Sequence, residues 1–161
     1  MNENTHDGSH DFDFLHGRWR IDNERLLERL TGCTDWERFA ATGTARPILG
    51  GLGNIDDFVP DGWRPGFLGG TVRLFNLVTG RWSLYWMSNA TGTLEPPVIG
   101  RFENGIGVFE GDDTLEGRPV RVRFTWSDIT ATSALWEQEC SGDGGRTWEK
   151  NWTMRFARIG D

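Results

Sequence analysis

The feature that most constrains this chain is its division into short segments of alternating polarity, each closed by a turn signal. In Val120-Arg-Val-Arg-Phe-Thr-Trp126, Val120, Val122, Phe124 and Trp126 fall on one side and Arg121, Arg123 and Thr125 on the other. A strand with that pattern buries one face and wets the other. Trp148, Trp152, Met154 and Phe156 share a parity against Glu149, Asn151, Thr153 and Arg155. Trp82, Leu84 and Trp86 share another, with Tyr85 and Met87 opposite. The segments fall at 15–30, 36–49, 54–58, 71–76, 81–89, 98–102, 105–111, 118–129, 134–140 and 146–159. Turns at Val78-Thr79-Gly80 and Glu103-Asn104-Gly105 read as hairpin connections. Only 24–30 admits a helical reading.

About ten sequential antiparallel strands, each with one apolar face, close most economically as an up-and-down barrel, which leaves no free edge. The expected fold is therefore all-β, a single antiparallel barrel. At 161 residues the chain suits one domain. Its 22 glycines supply turns and its 9 tryptophans supply large buried surfaces. Residues 1–11 are polar and read as a disordered tail, with the barrel domain spanning 12–161. The Pro- and Gly-rich stretch 59–70 reads as a long loop at a barrel mouth.

Gly17-Arg18-Trp19 resembles the Gly-x-Trp signature that opens the lipocalins and other calycins. The resemblance implies a lipocalin-like barrel whose closed end is plugged by Trp19, with a late-strand arginine, Arg158 by position, packed over the indole. Phe14-Leu-His-Gly-Arg-Trp19, Gly50-Gly-Leu-Gly-Asn-Ile-Asp56 and Asp143-Gly-Gly-Arg-Thr-Trp148 together resemble a bacterial branch of lipocalin-like domains; that likeness implies fold far more than activity. Ser141-Gly-Asp143-Gly-Gly145-Arg-Thr147-Trp148 resembles the Asp-box turn of sialidase propellers. A propeller repeats that motif in every blade; here it occurs once, so Asp143 and Trp148 are expected to stabilise a hairpin.

A net charge of −7 argues against nucleic acid as a partner. No apolar stretch approaches the roughly 20 residues of a membrane helix. Cys33 and Cys140 lack metal or disulfide spacing, which points to a reduced, cytoplasmic protein. His6, His10 and His16 all precede the barrel or open it. Some related barrels, the nitrobindins, hold haem through a late-strand histidine, and only Met154 or Cys140 stands in such a place here. No metal or cofactor is expected; a homodimer is left open.

Three functions remain. The first is binding of a small apolar or aromatic molecule inside the barrel. Its expected wall is Trp86, Trp126, Trp152 and Met154, with Asn54, Asp56, Tyr85 and Glu110 fixing orientation near the mouth. The second is a cofactor-free cyclase or isomerase in which Glu110, Glu137, Asp56 or Tyr85 moves a proton. Glu110 enters the cavity if Ile106 and Val108 do, and Glu137 enters if Leu135 rather than Trp136 does. The third is a structural or partner-binding protein with no ligand. A cavity with converging polar groups favours the first two over the third.

Overall fold

A computed structural model describes residues 6–161; residues 1–5 of the expected tail lie outside them. One turn of 3-10 helix, Asp13–Leu15, leads into ten strands. They are β1 (Gly17–Leu26), β2 (Trp36–Ile48), β3 (Gly53–Pro60), β4 (Gly69–Asn76), β5 (Arg81–Ser88), β6 (Val98–Glu103), β7 (Ile106–Leu115), β8 (Arg118–Ser127), β9 (Ser133–Ser141) and β10 (Glu149–Gly160). Each pairs with its sequence neighbour, and β1 pairs with β10 to close an antiparallel barrel. The alternating segments thus form strands in the expected order, while 27–30 forms bends rather than helix. No helix among the described residues is long and apolar enough to cross a membrane.

Up-and-down topology sends alternate connections to opposite ends. The loops 27–35, 61–68, 89–97, 116–117 and 142–148 gather at one end, the mouth. The N-terminal segment and the loops 49–52, 77–80, 104–105 and 128–132 gather at the other. The ladder is uneven. β5 meets β6 only over Trp82–Leu84 against Val98–Gly100, because the 89–97 loop occupies the rest of that edge. Gly100 is required there: a Cβ would collide with the main-chain carbonyl of Val108.

The closed end is filled from the N-terminal side. Trp19 is 1% exposed and donates its indole N–H to the Leu15 carbonyl at 2.8 Å. The Arg158 guanidinium lies 4.3 Å above the Trp19 ring. It donates to the carbonyls of His16 and Phe14, both at 2.6 Å, and of Ala131 at 2.9 Å. Gly17 has φ +118°, and a Cβ there would strike the Arg158 guanidinium and the Gly160 carbonyl. Phe12, fully buried, packs edge-on against Trp82 and Phe102. Residues upstream join this packing: Ser9 is buried, and the Trp82 indole donates to the Gly8 carbonyl at 2.9 Å. The expected tail therefore overlaps residues that sit against the barrel.

The 142–148 hairpin turn is built on Asp143. Its carboxylate accepts the amides of Arg146 and Thr147 at 3.0 and 2.9 Å and the hydroxyls of Ser141 and Thr147 at 2.7 and 2.6 Å. These donors, the Thr147 hydroxyl foremost, hold the carboxyl well below the usual range. A bulge at Asn151 then shifts the β9–β10 register. That bulge reverses parity, so Trp148 lies outside the barrel, stacked 4.0 Å from the Arg123 guanidinium, while Trp152 points inward.

Candidate binding cavity

Inside the barrel lies a cavity of about 290 Å³, at the small end of the range for ligand sites. Its walls come from the inward rows of several strands: Phe58, Trp86, Trp126, Trp136, Trp152 and Met154. Val122, Phe124 and Trp126 of β8 line it as their alternation implies, as do Leu84 and Trp86 of β5. Aromatic pairs hold these walls rigid; Trp152, for example, meets Trp136 edge-on at 6.0 Å and Phe58 at 6.3 Å. The Trp152 indole N–H is fixed by the Asn23 side-chain oxygen at 2.9 Å.

Above Trp152 the 61–68 loop folds back on the barrel. Trp63 stacks on Phe39 at 4.3 Å with rings 2° from parallel. Arg25 covers Trp152 at 5.2 Å and pairs with Glu37 at 3.2 Å. Access is left between Arg29 of the 27–35 loop, Glu95 and Pro96 of the 89–97 loop, and Asp112 and Asp113 of β7. The mouth is thus made chiefly by these elements rather than by 59–70, whose ends belong to β3 and β4.

Polar groups enter the cavity from three strands. Asp56 of β3 is 17% exposed at its side chain; its carboxylate pairs with Arg73 of β4 at 2.7 Å and accepts the Thr71 amide at 2.9 Å. Burial pushes the Asp56 carboxyl up, against the pull of Arg73 and that amide. Gln138 of β9 lines the opposite side and donates to the Asn151 side-chain oxygen at 2.7 Å. Nearby, burial raises the Cys140 thiol above its ordinary pKa.

Of the residues expected at the site, Asp56, Trp86, Trp126, Trp152 and Met154 line the cavity together. Asn54, Tyr85, Glu110 and Glu137 do not. Asn54 is fully buried behind Arg73, near the closed end rather than at the mouth. Tyr85 takes the outer parity of β5, opposite Trp86. Ile106 and Val108 are exposed and Phe109 is fully buried, so Glu110 faces outward, 3.2 Å from Arg121. Trp136, not Leu135, is inside, which turns Glu137 out to pair with Lys150.

The main residue that sequence reasoning missed is Arg73, 5% exposed within the barrel. In Thr71-Val-Arg-Leu-Phe75 the inward row is Thr71, Arg73 and Phe75, while Val72 and Leu74 face outward. The signal was its pairing partner: β3 places Asp56 beside Thr71, so a buried carboxylate there needs a cation from the same row.

No family model and no curated protein matches the chain. Among solved structures, the S-type phycobiliprotein lyase CPES from Guillardia theta is similar, with a TM-score of 0.59 over 93% of this chain and 91% of that one, at 9% identity. At that identity the likeness concerns fold alone. The chain is an all-β, ten-stranded antiparallel closed barrel of lipocalin-like architecture.

Proposed function

We propose that the protein binds a small, largely apolar or aromatic molecule inside the barrel. The supporting observation is the cavity itself: about 290 Å³ walled by indole and phenyl rings, open at one end, with Asp56, Thr71 and Gln138 converging on it. Rings favour a planar guest by offset or edge-on stacking, and the few polar groups set its orientation. A barrel serving only as a structural body gains nothing by leaving such a space, since unfilled volume forfeits packing energy. Titration of candidate compounds should quench tryptophan emission saturably, and Trp86→Ala should weaken binding by about 1–3 kcal/mol. Quenching that never saturates, or that survives Trp86→Ala unchanged, would sink this reading.

A second reading, an acid–base enzyme without a cofactor, draws on one observation. Asp56 is the member of the four proton-transfer candidates that reaches the cavity, and its pKa is raised. Turnover of a bound compound, lost in Asp56→Asn while binding persists, distinguishes it from carriage alone.

A further inference from the structure

Beneath the cavity, the polar side chains have more donors than acceptors. Arg73 Nη1 serves both the Asp56 carboxylate and the Asn54 side-chain oxygen, the latter at 3.0 Å. Arg73 Nε, Asn54 Nδ2 and Trp126 Nε1 are buried without any partner. They belong to one patch: the Arg73 guanidinium lies 5.9 Å from the Trp126 ring and 5.3 Å from Phe12. Arg73 and Trp126 both line the cavity, with Asn54 directly behind Arg73. Native interiors leave few buried donors unpaired, and a group of them beside a cavity marks where an acceptor belongs.

We propose that this floor recognises an uncharged carbonyl oxygen on a planar aromatic ligand, through the N–H groups of Arg73 and Trp126, with Asn54 holding the guanidinium from behind. The proposal rests on the binding reading above and names its chemical class. A carbonyl oxygen has two lone pairs in the plane of its group and accepts two of these donors at once. A carboxylate fits less well. The Arg73 charge is already matched by Asp56, which would repel a second anion. At the mouth, Glu95, Asp112 and Asp113 line the cavity with Arg29, and Arg25 lies close to both Arg29 and Arg64. Ligand anions are therefore disfavoured at the floor, beside Asp56.

Three fluorescent probes test this: prodan, a naphthalene ketone; its propyl parent, dimethylaminonaphthalene with the same chain and CH2 in place of the carbonyl; and dimethylaminonaphthoate, the matching carboxylate. Prodan should bind about ten-fold more tightly than either, the effect of one net hydrogen bond. Its bound emission should lie to the red of its emission in an apolar solvent, as the carbonyl accepts N–H. Trp126→Phe removes a donor and keeps a ring. Arg73→Lys removes Nε–H and keeps the charge beside Asp56. Each should weaken prodan about five- to ten-fold more than it weakens the parent, so that the preference for the ketone falls. Circular dichroism checks that each variant is folded, and the comparison of probes on the natural protein needs neither variant. Equal affinity for prodan and its parent, or preference for the carboxylate, overturns the proposal and leaves the binding reading intact. Saturable binding of none of the three removes both.

Discussion

Arg158 should be the costliest surface-reaching side chain to truncate. Two of its hydrogen bonds, to the carbonyls of His16 and Phe14, are partly buried at 2.6 Å. Charge-assisted bonds of this kind contribute about 1.5 kcal/mol each. The bond to Ala131 is exposed and contributes about 0.5 kcal/mol. Stacking at 4.3 Å over a buried indole adds about 1 kcal/mol. Together these reach about 4.5 kcal/mol, and freeing the side chain in the variant returns about 1. Arg158→Ala should therefore lose about 3.5 kcal/mol, near 10 °C in Tm for a chain of this length. Urea unfolding of natural and variant protein measures it, with an unchanged slope showing that the two-state comparison holds. Arg158→Lys should recover less than half, because an ammonium cannot span the Phe14 and Ala131 carbonyls at once. A loss below about 1 kcal/mol for Arg158→Ala would refute the view that this side chain, rather than Phe12 and Trp19 alone, secures the closed end.

For Asp143, a carboxyl whose pKa is lowered on folding stabilises above its unfolded value, near 3.8, and loses that contribution as pH falls through the folded value. The Tm gap between natural protein and Asp143→Asn should be full above about pH 5 and narrow steadily below pH 4; a gap that stays constant with pH contradicts this. Asp56→Asn and Arg73→Gln should each cost about 3–5 kcal/mol by leaving a buried partner unmatched, and the double variant should cost clearly less than their sum. Additive losses in denaturant melts would mean that the pair is not coupled. Gly100→Ala should destabilise by about 2–3 kcal/mol, since the obstacle is main chain and cannot rotate away; a neutral result would mean that β6 shifts freely against β7.

Strand order and most strand ends were legible because turns and alternation are local signals. The inner rows of β5 and β8 were legible too, where large apolar residues alternate with Arg, Ser or Thr. Legibility failed where the pattern inverts. The inward row of β7 is Gly107, Phe109, Gly111 and Asp113, flanked by Ile106 and Val108 on the outside. Gly107 is small because the rings of Phe102 and Phe109 already fill its space, so the inner position looks less apolar than the outer. Arg73 was hidden for a related reason: two aliphatic neighbours make its row look like the wet face. The bulge at Asn151 defeated parity altogether, since an extra residue in one strand is invisible until its partner's register is known. The apolar cavity walls follow from strong local patterns; the polar floor depends on pairing across β3 and β4, which no local pattern carries.

The short β5–β6 ladder makes the cylinder mechanically unequal around its circumference. Long ladders such as β1–β2, paired from Gly17 to Leu26, must break many cooperative bonds before they part. Beyond Leu84, by contrast, β5 is joined to the chain that follows by the isolated bridge of Met87 with Leu94, the Glu95 amide on the Trp86 carbonyl and the Gly92 amide on the Ser88 carbonyl. Local opening there needs far less free energy than global unfolding, so amides around this seam should exchange with solvent first. Trp86, Glu95 and Pro96 lie on that seam and also line the cavity. The compliant wall is therefore the one that would widen first, while the wall opposite, carrying Trp152 and Met154, keeps its shape.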